Sequence, residues 1–555
     1  MPSPLPSANN LKKVSQNQPK EMSGLKRFYP LSLRRTGRGW QVQVKWGQLV
    51  ISAVLVLSLG WLGLASSAYV FVKYRRGFSD VKFTDMLMLP VRWQAYQVSK
   101  GDFFIKAALE QLKAEKYREA FYDLRVGISK SPANKEGRLL LAQFYGLWKR
   151  SDLAQLTLLE GLPYHRNEPD YLKMLFSFLL QRQEDERILA LCKDLLGEDT
   201  TPSARNQLIG TAAATASFFR GNYDQAEDYM RTFNLASTRD GRLLMVRITW
   251  ERGLKDLALT QMSQLTAEFP NDEEIYAQNV SYLREAGRDD DARRESFLRS
   301  IANPNDARAR IDLLYELQKE GDTRSLKANV DELFQDFPSN GNALLALADF
   351  AANTGDSALA RRVYDYARSH NLPWDGAALM MIEANIVSKQ YQPALELVRQ
   401  LLKDNPEWGR QYYVVFNGLQ AIAHYGLGDA ESAQLFLNNF LSQNTVRADN
   451  LIAVSKRLMD VGAQNQAQQV LVEAVKADPL NQAALSGLIK LDLQLNHTDT
   501  LADNVRTLLT MRKPSREILS SAYRKLGSDL FLFAPDRMAL LEYLRKTITA
   551  DPESS

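Results

Sequence analysis

The chain has 555 residues, 45% hydrophobic and 24% charged, which is the composition of an ordinary folded protein. This length exceeds what one hydrophobic core can hold, so several domains or a repeating architecture are required. The net charge of +4 is unevenly spread, because residues 1–100 carry fifteen Lys and Arg against three acidic residues. The rest of the chain is therefore mildly acidic, which argues against a nucleic-acid partner, since binding phosphates needs concentrated positive charge.

Few residues in the sequence are suited to metal binding or catalysis. The one cysteine, Cys192, cannot form an intramolecular disulfide, and the four histidines are not in metal-binding spacing. No P-loop, G-x-S-x-G or zinc motif is present. We therefore predict no metal, no cofactor, no catalytic residue and no enzymatic activity, with Cys192 as a buried structural thiol.

The N-terminal arm, residues 1–45, is basic and rich in Pro, Ser, Asn and Gln. Such a composition predicts a disordered segment. Its charges either bind anionic lipid or only set the orientation of the segment that follows.

Residues 46–72 contain no charged residue and are predicted to form a transmembrane helix. At about 1.5 Å per residue this segment spans roughly 40 Å, more than the roughly 30 Å hydrocarbon core. A cleaved signal peptide is the alternative, because Ser66-Ser67-Ala68 resembles a cleavage site. The long preceding arm and the apolar residues that continue past this site favour an uncleaved anchor. Gly63 and Ser67, four residues apart, could pack a second helix, so a homo-oligomer stays open.

Charge asymmetry predicts the orientation of this helix. Nine Lys and Arg precede it and five follow within about twenty residues, which favours an N-terminus in the cytoplasm. The remainder would then lie outside the cytoplasm, in the periplasm at the inner membrane if the source is a Gram-negative bacterium. Residues 73–100 are predicted to be a juxtamembrane linker that either caps the following domain or lies on the membrane.

From Gly101 onward the same pattern returns about every 34 residues, as two amphipathic helices joined at a Gly or polar residue. Gly287 and Gly321 are 34 residues apart, as are Pro304 and Pro338. An alanine recurs on the second helix, where a methyl group lets the two helices approach closely. We predict twelve units, starting at Gly101, Lys135, Pro169, Gln207, Arg239, Glu273, Ala307, Gly341, Asp375, Val414, Ala448 and Gln482.

The recurring small residues and turns resemble the tetratricopeptide repeat family, although the large aromatic residue of the first helix is mostly missing. The resemblance implies an all-α fold, a right-handed α-solenoid of about twelve such hairpins at residues 101–515, preceded by the transmembrane helix. Residues 516–555 would supply capping helices and a tail.

The family usually receives a peptide or a partner's helix on the concave face formed by the first helices. Carried over to this sequence, the resemblance implies that the binding residues on this face are Arg247, Trp250, Glu251, Arg284, Arg308, Tyr315 and Lys319. The family's clamp for a C-terminal carboxylate is not found at its usual positions. The function implied is a membrane-tethered scaffold for other proteins, in envelope or polysaccharide assembly by likeness to anchored repeat proteins. An adaptor that presents membrane proteins to a protease or translocon is the alternative.

Overall fold

The computed structural model describes residues 31–36, 39–44, 46–78, 81–443, 446–497, 500–532 and 536–549. The chain divides into two compact units, residues 1–144 and residues 145–555. Each unit is described by itself below. Apart from two short strands, the described secondary structure is helical, which confirms the prediction of a helical fold.

The two strands lie in the segment predicted to be disordered. Strand β1 (Leu31–Thr36) pairs antiparallel with β2 (Gly39–Val44), with Leu31 opposite Val44 and Leu33 opposite Val42. Apolar residues alternate with polar ones along both segments, the period-2 pattern of a strand, and glycine lies between them. The prediction of disorder was therefore wrong for this part of the arm, and residues 1–30 lie outside the described residues.

The predicted transmembrane segment forms one long helix, α1 (Trp46–Val70), which a π-helical turn continues through Phe71–Arg75. In the described part of the chain it is the helix that is long and apolar enough to cross a membrane. A short helix, α2 (Phe83–Leu87), follows.

The first repeat hairpin begins earlier than predicted. Its first helix, α3 (Leu89–Lys113), starts twelve residues before Gly101 and bends at Arg92, where the backbone is not helical. Its second helix is α4 (Tyr117–Lys130). The predicted boundary at residue 101 lies inside α3, because the repeat pattern marks where hairpin packing begins and not where the helix begins.

Eleven further hairpins follow in the described chain, at the predicted places. Their helices are α5 (Lys135–Leu147) and α6 (Ser151–His165), α7 (Pro169–Gln181) and α8 (Asp185–Leu196), α9 (Ala204–Phe219) and α10 (Tyr223–Thr232), α11 (Arg239–Glu251) and α12 (Lys255–Glu268), α13 (Glu273–Glu285) and α14 (Asp289–Ala302), α15 (Ala307–Glu320) and α16 (Thr323–Asp336), α17 (Gly341–Thr354) and α18 (Ser357–Ser369), α19 (Asp375–Val387) and α20 (Tyr391–Asp404), then after the short α21 (Trp408–Gln411) α22 (Tyr413–Leu427) and α23 (Ala430–Leu441), α24 (Ala448–Asp460) and α25 (Gln464–Ala477), and α26 (Gln482–Leu495) and α27 (Leu501–Leu509). We number the hairpins 1 to 12, from α3–α4 to α26–α27.

A left-handed residue joins the two helices of every hairpin. All seven glycines predicted to end a first helix have positive φ, from +72° to +80°. The five other hairpins place Glu115, Lys149, Gln183, Lys389 and Asn496 in this conformation, with φ from +55° to +61°. The left-handed turn therefore repeats in all twelve hairpins, which confirms their number.

The alanines on the second helices are the tightest packing positions. All nine that the repeat pattern singled out are fully buried, namely Ala120, Ala154, Ala226, Ala258, Ala292, Ala360, Ala394, Ala433 and Ala467. Ile188 and Leu501, which replace alanine in two other units, are also fully buried. These eleven residues lie on the second helices of eleven hairpins, and in hairpin 7 the position is taken by Leu326, which is only partly buried.

The apolar core of the second unit follows the chain in successive clusters. One extends from Ile311 to Leu491 through hairpins 7 to 12, and another joins hairpins 5 and 6 from Leu243 to Ala292. Two C-terminal helices, α28 (Arg516–Leu526) and α29 (Arg537–Thr549), pack on hairpin 12 in a cluster of their own. They cover its apolar surface, as terminal caps of a solenoid do.

Candidate protein-binding surface

The seven residues that the resemblance implied lie on three first helices, α11, α13 and α15. Arg247, Trp250 and Glu251 lie on α11, Arg284 on α13, and the remaining three on α15. Because these helices belong to hairpins 5, 6 and 7, the structure does place the predicted residues in consecutive repeats.

Trp250 packs between repeats. Its ring stacks on Tyr282 of the next hairpin, with centroids 4.0 Å apart and planes 5° from parallel, and the residue is only 5% exposed. Such a ring has almost no surface left for a partner. The large aromatic residue of this repeat therefore serves inter-repeat packing.

The predicted cations are each paired with an acidic side chain of a neighbouring hairpin. Arg247 Nη2 lies 2.9 Å from Glu274 Oε1, Arg308 Nη1 2.7 Å from Glu273 Oε2, and Lys319 Nζ 2.5 Å from Asp289 Oδ1. Arg284 pairs with the buried Glu316 in the same way.

These ion pairs join hairpins 5, 6 and 7, and the apolar core is thin at α14 of hairpin 6. The side chains that α14 buries are Ala292, Ser296 and Ser300, all small or polar. Arg299 of α14 reaches Asp312 of α15 at 2.8 Å and covers the ring of Tyr276 at 4.2 Å from its centroid. Exposed pairs contribute little each, up to about 1 kcal/mol, so they add to the apolar cluster of hairpins 5 and 6 and to the thinner contact between hairpins 6 and 7.

Tyr315 is partly buried. Its ring meets Phe350 edge to face at 4.8 Å, and Asn353 Nδ2 donates a hydrogen bond to its hydroxyl at 3.3 Å. Burial raises the pKa of this phenol. Like Trp250, Tyr315 therefore packs mainly against the next hairpin.

Glu251 faces a distant part of the same chain. Its Oε2 accepts a hydrogen bond from the Tyr223 hydroxyl at 3.2 Å and lies 3.8 Å from Lys513 Nζ. Burial, followed by the charge of Glu251, raises the pKa of Tyr223 to about 12. Lys513 belongs to the loop between α27 and α28, which we call the clasp (Thr510–Lys513).

The clasp contacts hairpins 3 and 4 about 300 residues away in sequence. Arg512 Nε lies 2.8 Å from Oδ2 of the buried Asp185 and the guanidinium lies 3.7 Å from the ring centroid of Phe219. The Lys513 backbone N–H donates to the Phe219 carbonyl at 2.7 Å, and Arg220 Nη1 donates to the Thr510 carbonyl at 2.8 Å. The second unit therefore closes on itself at this point, and its own chain occupies the surface beside Glu251.

A cleft of about 200 Å³ lies between the first helices of hairpins 9, 10 and 11. Its lining is mostly apolar, from Val414, Val415, Gly418, Leu419 and Ile422 of α22, Phe440 of α23, and Ala453 and Val454 of α24, and the polar lining residues are Asn450, Glu383 and Arg457. The positions that the repeat family uses for binding did not predict this cleft.

One ion pair also lines this cleft. Arg457 Nη2 and Nε of α24 donate to Glu383 Oε1 of α19, at 2.8 and 3.1 Å, across 74 residues of chain. Both side chains keep part of their surface, 17% for Arg457 and 29% for Glu383. Burial, and next the charge of Glu383, raise the pKa of nearby Asp349. The cleft thus combines an apolar floor with charged groups of both signs.

A signal for this cleft is present in the sequence. The first helix of hairpin 10 carries no Asp, Glu, Lys or Arg from Tyr413 to Leu427, although a first helix that faces water should be polar on one side. Its surplus apolar residues form the floor of the cleft. Within the described residues, no group of three His, Cys, Asp or Glu side chains is placed to hold a metal ion.

No family model and no curated protein matches the sequence. Similar solved structures include Naa15/Naa10 bound to HypK-THB, at 16% identity over 89% of this chain and 79% of that one, with a TM-score of 0.27. A tetratricopeptide repeat protein from Parabacteroides merdae ATCC 43184 is 12% identical over 46% of this chain and 98% of its own, with a TM-score of 0.27. The APC/C hetero-tetramer Cut9-Hcn1 is 12% identical over 80% of this chain and 96% of its own, with a TM-score of 0.24. Because whole-chain superposition is this poor, the tetratricopeptide-like fold of this chain rests on its own twelve hairpins.

Proposed function

We propose that the protein is a non-enzymatic scaffold, tethered to a membrane by α1, that binds other proteins through its first helices. The observation that carries the proposal is the cleft of hairpins 9 to 11. An apolar cavity with a few convergent polar groups is the usual form of a recognition site. A partner would insert one or two apolar side chains over Val415, Leu419 and Val454 and meet Glu383 or Arg457 with a charge of its own.

Hairpins 5 to 7 have a secondary place in this proposal. Arg247, Arg284, Arg308 and Lys319 already have acidic partners, so a ligand there must compete with intramolecular ion pairs. Arg308 and Lys319 keep the most surface, with 72% and 54% of their side chains exposed. We therefore expect them to add rim contacts to a partner that is anchored elsewhere.

Photo-crosslinking from the cleft tests this function. A photoreactive amino acid replaces the exposed Ala453, which lines the cleft, and in a control chain it replaces the exposed Asn438 on the second helix of hairpin 10. We expect one discrete protein adduct from residue 453, absent from residue 438, and lost when Leu419→Arg fills the cleft. Equal crosslinking from both positions, or adducts that survive Leu419→Arg, would contradict the proposal.

The place of action is also proposed. Nine Lys and Arg before α1 against five after it support a cytoplasmic N-terminus and a solenoid on the opposite side of the membrane. Work in envelope or polysaccharide assembly, at a bacterial inner membrane, is the role we favour, and presentation of membrane proteins to a protease or translocon is the second candidate. Proteins that crosslink to residue 453 would separate them, because glycan-assembly enzymes support the first and protease or translocon subunits the second.

A further inference from the structure

The surface of α1 changes abruptly along its length. From Trp46 to Leu64 every residue is exposed except Gln48, Leu49 and Ser52, which are partly covered, whereas Ala65 is only 2% exposed. These nineteen residues extend about 28 Å, close to the roughly 30 Å of a hydrocarbon core. The uncovered part of the helix is thus long enough to span the bilayer without the residues that follow.

The chain after α1 folds back and covers the remainder of the helix. Trp61 Nε1 donates a hydrogen bond of 2.8 Å to the Leu87 carbonyl at the end of α2, and the rings of Tyr69 and Phe83 meet edge to face at 5.8 Å. Ala65 shares a buried cluster with Phe78, Val81, Met86 and Tyr96. Leu87 therefore lies beside the Trp61 side chain, at the point where the exposed part of α1 ends.

The segment that folds back exposes large apolar side chains of its own. Met88, the residue before α3, is 47% exposed, and Val91 and Trp93 in the first turns of α3 are 83% and 52% exposed. Lys82 and Arg92 are exposed in the same segment, and Arg75 and Arg76 precede it. Exposing such groups to water is unfavourable, at about 25 cal/mol per Å² of apolar surface, so this face is suited to a less polar surrounding.

We infer that residues 83–93 lie in the headgroup layer of the bilayer that α1 crosses, with Met88, Val91 and Trp93 inserted among the lipids. This rests on the proposed anchoring by α1. The Trp61–Leu87 hydrogen bond holds the end of α2 beside the lipid-exposed part of α1. The exposed apolar side chains that follow Leu87 therefore adjoin that part of the helix, and one bilayer can cover both. A tryptophan with flanking Arg and Lys is the composition that the interface and anionic headgroups favour.

The membrane span then covers about residues 46–64 and not the whole predicted range 46–72. Trp46 and Trp61 then lie near the two interfaces, where tryptophan is enriched. Residues 65–75 rise from the membrane as a stalk that is packed by the chain's own residues. The bend at Arg92 lets the start of α3 follow the membrane while the rest of the helix joins hairpin 1.

Depth-dependent fluorescence quenching tests this placement. The full chain is reconstituted in vesicles of phosphatidylcholine with one-quarter phosphatidylglycerol, and a polarity-sensitive fluorophore is attached to Leu55→Cys, Val91→Cys or Glu110→Cys. Cys192 is buried and should take no label, which the unsubstituted chain verifies. Leu55 is on the lipid-exposed part of α1, and Glu110, with 72% of its side chain exposed, is the aqueous control at the far end of α3.

We expect residue 55 to be quenched by nitroxides deep in the acyl chains, residue 91 by nitroxides at the headgroup, and residue 110 by aqueous iodide. Quenching of residue 91 by iodide alone, with residue 55 quenched by lipid, would overturn the inference and leave the anchor intact. Protection of residue 91 from both quenchers would overturn it in favour of a second copy of this chain. If residue 55 itself is not quenched by lipid, the proposed anchoring fails.

Discussion

The turn between the two helices of a hairpin requires one residue to adopt the left-handed backbone conformation. An L-residue in the left-handed region is strained by about 1–2 kcal/mol because its Cβ crowds the following carbonyl, whereas glycine lacks that atom. Seven hairpins use glycine there, and Lys389 is one of five residues that accept the strain.

Exchanging residues at two of these turns should shift stability in opposite directions. Lys389→Gly should stabilise hairpin 9 by about 1 kcal/mol, and Gly253→Ala should destabilise hairpin 5 by a similar amount. Gly253 has φ of +77° and no atom within 4 Å of an added Cβ, so its cost is purely that of the backbone. Hydrogen exchange of the amides in α12 measures the stability change of hairpin 5, and exchange in α20 measures that of hairpin 9. Changes of the same sign would contradict the account.

Cys192 should be chemically inert in the folded protein. Its side chain is fully buried, its Sγ donates to the Ile209 carbonyl at 3.4 Å, and burial raises the pKa of the thiol. Because the thiolate is the reactive form, a disulfide reagent should modify Cys192 only after unfolding, at any pH up to 9. Rapid modification of the native protein at pH 8 would show that the thiol is accessible.

Several residue positions could be predicted from the sequence, and others could not. The buried alanines and the left-handed glycines have one physical role each, so their spacing located them. Glu115, Lys149 and Gln183 carry no such signal, because the packing of the hairpin imposes their conformation on residues that do not prefer it. Trp250 was misleading for a related reason, since an aromatic ring suits both a binding face and the contact with Tyr282.

At the scale of the element, the irregular step before hairpin 10 has a specific structure. The short helix α21 carries Trp408, whose ring lies 4.9 Å from that of Trp374 and 5.4 Å from that of Tyr412. The Tyr412 hydroxyl donates to Asp375 at the start of α19. This hydrogen bond, followed by burial, raises the pKa of Tyr412 to about 12.

The Tyr412–Asp375 contact gives stability a pH dependence. The folded-state pKa of Tyr412 lies above the roughly 10 of a free phenol, so the stabilisation is complete below pH 10 and falls as pH rises towards 12. Tyr412→Phe should lower the unfolding temperature at pH 8 and cost about 1.5 kcal/mol, the lower end for a hydrogen bond to a charged group. The difference in the free energy of unfolding between Tyr412→Phe and the wild type should shrink between pH 10 and 12. A difference that stays constant over that interval would show that the phenol does not titrate as proposed.

Element boundaries were harder to predict than element identity. The first helices from α5 onward start within three residues of the predicted positions, because the period of about 34 residues continues along this part of the chain. Helix α3 starts early since Leu89 and Pro90 begin a helix before the repeat pattern does. The cleft was missed because α22 departs from the repeat only in the polarity of its exposed side.

At the scale of the whole second unit, the clasp links residues far apart in sequence. No periodicity predicts such a contact, since it depends on how the small rotations between successive hairpins add up. Arg512 holds the clasp in place, because its guanidinium forms an ion pair with the buried carboxylate of Asp185.

Arg512→Ala should open the clasp. It leaves the charge of Asp185 buried and unpaired, which costs about 3–5 kcal/mol. Hydrogen exchange should accelerate together in α8, α10 and α27, although α27 lies about 300 residues from the other two helices. Arg506→Ala is the control, because Arg506 pairs with the exposed Asp503 and its loss should change stability by less than about 0.5 kcal/mol. Faster exchange in α27 alone would contradict a closure shared by both ends.

We propose that the twelve-hairpin scaffold is fixed to a membrane by α1 and acts on the side opposite its N-terminus. The most direct measurement is protease accessibility of a C-terminal tag in intact cells, spheroplasts and opened vesicles, with carbonate-washed membranes analysed for the mass of the product. We expect a full-length protein in the membrane fraction whose tag is digested from outside the cytoplasm. A tag that is protected until the cytoplasmic face is exposed, or a soluble product shortened by about 68 residues at the Ser66-Ser67-Ala68 site, would contradict it.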